Sequence, residues 1–263
     1  MAMSHDHTFS AALIIVGNEI LSGRTHDSNT PWIAEKLVAM GIRLVEVRVV
    51  PDVEAEIISA VNALRTKVDY VFTTGGIGPT HDDITSASLA KAFGTELELN
   101  REAFRLLTNH YGGEAEVTPP RKKMAMIPRG ATLIANPVSA APGFKMDNVF
   151  VMAGVPRIMQ AMFDHVKDML TPGHPILSST IACGLQESTV AEDLSALQEK
   201  YPRVDMGSYP HYRGGILGLS LVLRSTDALA LDSATQDVIA MIKRLGGQPH
   251  ALSVLSTGEV ASG

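Results

Sequence analysis

The sequence predicts an α/β protein: a three-layer αβα domain with a mostly parallel sheet, then a second, smaller α+β domain of ferredoxin-like order. Three observations predict it. Short β-branched apolar runs alternate with amphipathic stretches from Ala11 to Met169. The expected strands are almost wholly apolar, as strands buried on both faces of a parallel sheet must be. After Thr171–Pro175, which reads as a linker, the pattern restarts as β-α-β-β-α-β. The domains are therefore expected at 8–172 and 176–255, with 256–263 as a disordered tail.

Taken in order, Ala11–Val16 (AALIIV) is a strand with no polar side, hence central. A polar loop follows, and then the helix Pro31–Met40, with Trp32, Ile33, Leu37 and Met40 inward and Gly41 as its stop. The strand Arg43–Val50, the helix Val53–Leu64 and the strand Val68–Thr73 come next. The next helix carries Ile84, Ala87, Leu89, Ala90 and Phe93 on one face and ends at Gly94; another covers Asn100–Gly113. Asn136–Phe144 (NPVSAAPGF) reads as a tight turn whose small residues let a flat ligand lie against backbone. The strand Val149–Ala153 and the helix Arg157–Met169 close the domain; Met159, Met162 and Met169 read as core. In the second domain the expected elements are strand Ile176–Ala182, helix Glu187–Glu199, strand Val204–Tyr209, a turn at His211–Gly215, strand Ile216–Arg224, helix Asp232–Leu245 and strand Ala251–Leu255.

Right-handed crossovers place helices on both faces of such a sheet, and ligands bind beyond the carboxyl ends of its strands. Two polar loops, 17–29 and 74–83, fall on that edge and are expected to form one site. The second holds TTGGIGPTHDD. Gly75, Gly76 and Gly78 allow positive φ and close approach of backbone N–H groups to an anion, with Thr74, Pro79 and Thr80 around them and a helix N-terminus behind. Asp82 and Asp83 would repel a bare phosphate, and a divalent cation between them removes the conflict. The plainer reading is that they N-cap the helix. The first loop supplies Gly17, Asn18, Glu19, Asp27 and Asn29. Arg121, Lys122 and Lys123 read either as a solvated charged face or as phosphate ligands folding over the site. His81 reads as a solvated loop histidine.

Composition narrows the classes. A net charge of −6 in 263 residues, 45% hydrophobic and 19% charged, fits a globular protein with no nucleic-acid surface. Cys183, the single cysteine, excludes an internal disulfide and reads as a small buried hydrophobe in a reducing compartment. No run is long enough to span a membrane, and the start lacks the regions of a signal peptide, with His5 and His7 in a frayed end. A cytoplasmic location with no membrane partner is expected. There is no GxxxxGK[ST], GxGxxG, HExxH or GxSxG. P-loop hydrolysis, dinucleotide binding, zinc proteolysis and acyl hydrolysis are thereby set aside.

GNEIL-x-G-x-x-x-D-x-N, TTGGIGPTHDDIT, RKK, N-P-x-x-x-A-P-G-F and GVP, in that order, resemble the molybdopterin-binding domain family. Within it they are most similar to the amino-terminal domains of competence/damage-inducible protein A and of two-domain FAD synthases. The second module, with GSYP at Gly207–Pro210, resembles the small domain that follows in both groups. The resemblance implies a divalent-metal-dependent hydrolase of a nucleotide pyrophosphate of the ADP-ribose or FAD type. Its alternative is a molybdopterin- or nucleotide-binding module, or an adenylyltransferase-like protein, without hydrolase activity. Asp83, Asp82 and Asp27 would hold the metal (Mg²⁺, Mn²⁺ or Co²⁺, with K⁺ a further candidate) and activate water. Lys123 and Lys122 would steady phosphate charge; Gly17, Asn18, Glu19, Asn29, Ala141, Pro142 and Gly143 would join the second loop in holding a nucleotide or pterin. It also implies a homodimer. The amidase domain of many competence-type proteins and the synthase domain of FAD synthases have no counterpart in this sequence, so neither of those reactions is expected.

Overall fold

A run such as AALIIV is stable as a strand only where both of its faces are covered, and the fold does this. The computed structural model describes residues 9–213 and 216–255. The expectations for His5 and His7, for residues 256–263 and for the tip of the turn at 214–215 lie outside those residues. The chain divides into two compact units, Met1–Gly173 and His174–Gly263, and the division falls inside the expected linker.

In the first unit β1 (Phe9–Val16) leads through the short α1 (Asn18–Leu21) to α2 (Asn29–Ala39) and β2 (Ile42–Val50). Then come α3 (Glu54–Arg65), β3 (Tyr70–Thr74), α4 (Thr85–Ala92), β4 (Leu97–Leu99), α5 (Arg101–Tyr111) and α6 (Pro119–Lys123). The unit ends with β5 (Met126–Pro128), β6 (Thr132–Ile134), β7 (Gly143–Met146), β8 (Val149–Met152) and α7 (Pro156–Val166). The main sheet runs β2-β1-β3-β8-β7-β6. β1 pairs in parallel with β2 and β3, and β3 with β8. Alternate residues of β1 serve the two cores. Ala12, Ile14 and Val16 pack with Ile57, Val61, Leu64 and Leu89 of α3 and α4. Ala11, Leu13 and Ile15 pack with Ile33 and Leu37 of α2 and Met159 and Phe163 of α7. Each fully buried Leu or Ile of this kind contributes roughly 1.5–3 kcal/mol. Met162 is buried as expected, but Met169 is 37% exposed, because the helix tightens into a 3-10 turn at Lys167–Met169 that leaves the core.

Two departures have local causes. β7 and β8 are antiparallel, since only Asp147 and Asn148 join them and a two-residue turn can connect strands in no other way. Asp147 takes φ 52, the left-handed conformation such a turn requires. The expected turn over Asn136–Phe144 also ends early. Gly143 and Phe144 enter β7, and a Cβ at Gly143 would run into the Val151 carbonyl and the Met162 methyl. Gly143 is therefore packed inside the sheet, and it lines neither of the hollows described below. The short antiparallel pair β4–β5 stands apart from the main sheet.

In the second unit, β9 (Leu177–Cys183), α8 (Glu187–Lys200), β10 (Asp205–Arg213), β11 (Ile216–Ser225), α9 (Ala228–Arg244) and β12 (His250–Leu255) follow the expected order. They form an antiparallel sheet, β10-β11-β9-β12, with Cys183 buried. Two boundaries move. β10 runs on through His211, Tyr212 and Arg213, and α9 begins earlier than expected because Asp227 accepts from the Leu229 and Ala230 amides and caps it. Among the described residues no helix is long and apolar enough to cross a membrane.

Candidate functional site

In this sheet the chain leaves β1 on one side, to reach β2, and returns to its other side as β3. The crevice between the carboxyl ends of β1 and β3 is the place where such folds bind ligands. The loop after β3 is shaped there by its glycines. Gly75 has φ 102, and a Cβ on it would collide with the Val16 carbonyl oxygen. Gly76 has φ 69, and a Cβ on it would collide with the Thr85 hydroxyl. Both positions need glycine for conformation and for space. Thr85 pins the loop to α4, donating its hydroxyl to Gly75 O at 3.0 Å and its amide to Gly76 O at 2.9 Å.

The Gly75 amide donates to Met152 O at 3.1 Å. This corrects the expectation that it binds phosphate, since it is already used by β8. Among the described residues the amides of Gly76, Ile77 and Gly78 take no part in the bonds that hold the loop. Asp82 and Asp83 do not cap α4, whose first turn receives no side-chain cap. Instead both carboxylates close on Thr80. Its hydroxyl lies 2.5 Å from Asp82 Oδ1 and 2.5 Å from Asp83 Oδ2, and its amide donates to Asp83 Oδ2 at 2.8 Å. These contacts hold the Asp82 carboxyl below the usual carboxylate range, the Thr80 hydrogen bond first and then its own amide, with smaller attractions from His81 and Lys123. Lys123 donates to Thr80 O and so reaches the loop. Lys122 turns instead towards the Phe104 ring, 5.7 Å from its centroid, and Arg121 stacks 3.9 Å from the centre of Tyr111. The basic cluster is thus split between the two readings.

A cavity of about 590 Å³ opens over this loop. Gly17, Glu19, Gly75, Gly76, Gly78, Pro79, Thr80, Asp82, Asp83 and Ala141 reach it from the expected set. Sequence reasoning missed Asp52, Tyr111, Met124, Asn136, Ser139 and Ile158 as lining residues. Asp52 takes the Asn18 amide at 2.9 Å, which fixes the first loop against β2. Asn136 is fully engaged inside its own turn, with Ser139 and Ala141 O. The NP motif was the signal that could have marked it. Pro142 and Lys122 line neither this cavity nor its neighbour.

Asp27, Asn29 and Thr74 belong to a second, smaller hollow of about 50 Å³, which shares Val16, Glu19, Thr25, Gly154 and Pro156 with the first. Asp27 accepts from the Asn29 and Thr30 amides at 2.9 and 3.1 Å and so does the capping work at the start of α2. The Asn29 amide group donates to Gly154 O at 2.8 Å, while its Oδ1 and the Thr74 hydroxyl are buried with no partner among the described residues. Among the described residues, no three His, Cys, Asp or Glu side chains gather where they could hold a metal. Asp27 does not join Asp82 and Asp83 in one ligand set. The pair that remains suits a hard cation of the Mg²⁺ kind, which commonly takes one or two carboxylates and completes its shell with water and substrate phosphates.

A glycine loop at a topological switch point, with three amides that among the described residues take no part in the loop's own bonds and two carboxylates beside a cavity of about 590 Å³, marks the first unit as an α/β domain with a candidate ligand site. The comparisons narrow this class. The family described as "Probable molybdopterin binding domain" matches residues 12–172, and "FAD synthase, middle domain" matches residues 175–246. The chain belongs to the molybdopterin-binding domain family. A protein of Pyrobaculum calidifontis is 38% identical over 211 residues, 76% of this chain and 80% of that one. One of Sulfurisphaera tokodaii is 32% identical over 251 residues, 90% and 94%. Among solved structures, "the protein CinA with unknown function from Thermoplasma acidophilum" is 37% identical with a TM-score of 0.58, over 62% of this chain and 99% of that one.

Proposed function

We propose that the first domain binds a phosphorylated ligand carrying a planar ring, a nucleotide or a pterin. The observation that supports this reading most is the make-up of the 590 Å³ cavity. Its lining brings the Gly76–Gly78 loop together with the apolar side chains of Tyr111, Met124, Val155 and Ile158, beside the acids Glu19, Asp52, Asp82 and Asp83. Phosphate goes to the amides, which attract an anion without a counter-charge, and the ring goes to the apolar wall. Tyr111 has Arg121 stacked on it and is therefore held as a platform. Calorimetric titration with AMP, ADP-ribose and inorganic pyrophosphate tests the reading. The nucleotides bind more tightly than pyrophosphate; absence of binding by all three at millimolar concentration refutes it.

A second reading, hydrolysis of a nucleotide pyrophosphate, is favoured by one specific feature, the Asp82–Asp83 pair closed on Thr80. A divalent ion between these carboxylates and the ligand would supply charge neutralisation and an activated water. The protein's own contribution is to orient the phosphates by Gly76–Gly78 and to place Lys123 behind the loop. Release of AMP from ADP-ribose or FAD with Mg²⁺, Mn²⁺ or Co²⁺, abolished by chelator, is the expected result. No AMP under any of these ions leaves the binding module as the function.

A further inference from the structure

A buried polar group without a hydrogen bond costs stability, so one that persists in a fold calls for a partner. Two residues that line the smaller hollow carry such groups. Asn29 is 6% exposed and Thr74 1%. The Asn29 side-chain amide donates to Gly154 O, which fixes its orientation and leaves Oδ1 as an acceptor with no partner among the described residues. The Thr74 hydroxyl is in the same state. The hollow measures about 50 Å³. A water takes about 30 Å³ of liquid volume, so one or two small polar groups fit there and a ring does not. Glu19 and Asp27 also line the hollow and repel an anion.

We infer that this hollow is a hydroxyl subsite of the ligand site, in which Asn29 and Thr74 read a sugar hydroxyl, so that the ligand is a nucleotide rather than a pterin phosphate without a sugar. The inference rests on the reading that phosphate lies on the Gly76–Gly78 amides. One hydroxyl answers both groups, since it donates to Asn29 Oδ1 and accepts from Thr74, whereas a ring amine only donates. Position along the chain points the same way. Thr74 stands two residues before Gly76, and two residues span at most about 7 Å. In a nucleoside 5′-phosphate the sugar hydroxyls lie a few bonds from phosphorus, while ring amines stand at the far end. With phosphate on the amides and the ring against Tyr111, the part of the ligand beside Thr74 is the sugar. The two hollows are also contiguous, sharing Val16, Glu19, Thr25, Gly154 and Pro156.

Calorimetry on the full chain with AMP and 2′,3′-dideoxy-AMP reads the subsite without any variant. AMP binds roughly tenfold or more tightly, because the analogue leaves buried groups unpaired. Thr74→Val keeps the side-chain shape, melts at or above the wild-type temperature and shrinks that gap severalfold. Thr73→Val is the control. Thr73 is equally buried and its hydroxyl also has no partner among the described residues, but it lines neither hollow, so this variant keeps the gap. Pyrophosphate affinity is the same in all three proteins. Equal binding of AMP and its dideoxy analogue by the wild type, both tighter than pyrophosphate, overturns the subsite while the ligand reading stands; the hollow then holds only water. A gap undiminished in Thr74→Val, or lost equally in Thr73→Val, overturns it too. Absence of binding by AMP and pyrophosphate alike removes the ligand reading, and this inference with it.

Discussion

The loops after β1 and β3 end at the same crevice and both carry acids, yet their acids do different things. Asp27 lies two residues before Asn29 and bends back to accept the first amides of α2. Asp82 and Asp83 are just as close to α4, but that helix begins without a side-chain cap. Their partner is Thr80, inside the loop. The cause is backbone geometry. With Gly75 and Gly76 at positive φ, the loop doubles back so that Thr85 N meets Gly76 O, and the helix is tied by backbone rather than by carboxylate. The acids are left facing the cavity. Residue type alone does not assign an acid to cap or to ligand; the conformation of the preceding turn does.

Substitutions that break this contrast rank as follows. Gly76→Val meets both a positive φ and the Thr85 hydroxyl, and costs about 2–4 kcal/mol in backbone strain and overlap. Melting temperature falls and ligand binding is lost; an unchanged melt with retained binding would show that the loop does not depend on glycine there. Asp83→Asn removes one charge at constant size. Metal-free nucleotide binding becomes tighter, and any metal-dependent turnover falls by roughly a hundredfold or more, at ~1.4 kcal/mol for each factor of ten. Equal turnover in a kinetic assay would return Asp83 to a structural role.

Tyr111→Ala removes the proposed ring platform and weakens AMP by roughly tenfold, on the order of 1–3 kcal/mol for base stacking. Pyrophosphate affinity, measured in parallel, stays the same; a loss shared by both ligands would place Tyr111 outside ring recognition. Asp27→Ala removes the two amide contacts at α2 and costs about 1 kcal/mol in a denaturant melt, while Asp83→Ala leaves α4 capped as before. The reverse ranking would exchange the roles of the two loops. The smallest effect is on pH. The Thr80 hydroxyl holds the Asp82 carboxyl below the ordinary carboxylate range in the folded protein, so this stabilising contact is complete above that range and is lost as pH falls through the lower, folded pKa. Loop amide exchange, followed by NMR, accelerates only below the ordinary carboxylate range. Loss of the contact near neutral pH would contradict this.

Most of the fold is legible in the sequence because the main strands are either buried on both faces or flanked by clear helix stops. β1 reads as central from AALIIV alone, and Gly94 (φ 64) ends its helix as expected. β4, β5 and β6 escape because three residues carry no periodicity, and β7 because its first residues look like the end of a Pro/Gly turn. In the site, the glycine loop and its acids are local in sequence and readable. Tyr111, Met124, Asp52 and Ile158 are not, because they reach the cavity from α5, from the residue after α6, from the loop after β2 and from α7. Such convergence is a property of topology, not of any stretch. The Gly75 amide reads as a phosphate donor in the sequence because the register of β8, which consumes it, leaves no mark near residue 75.

Backbone amides form the proposed anion cradle, and amide resonances observe them directly. Titrating ¹⁵N-labelled protein with inorganic pyrophosphate, the signals of Gly76, Ile77 and Gly78 shift progressively and saturate. Gly75, bonded to Met152 O, moves far less. Saturating shifts elsewhere with this loop unmoved, or Gly75 moving as much as its neighbours, would contradict the account.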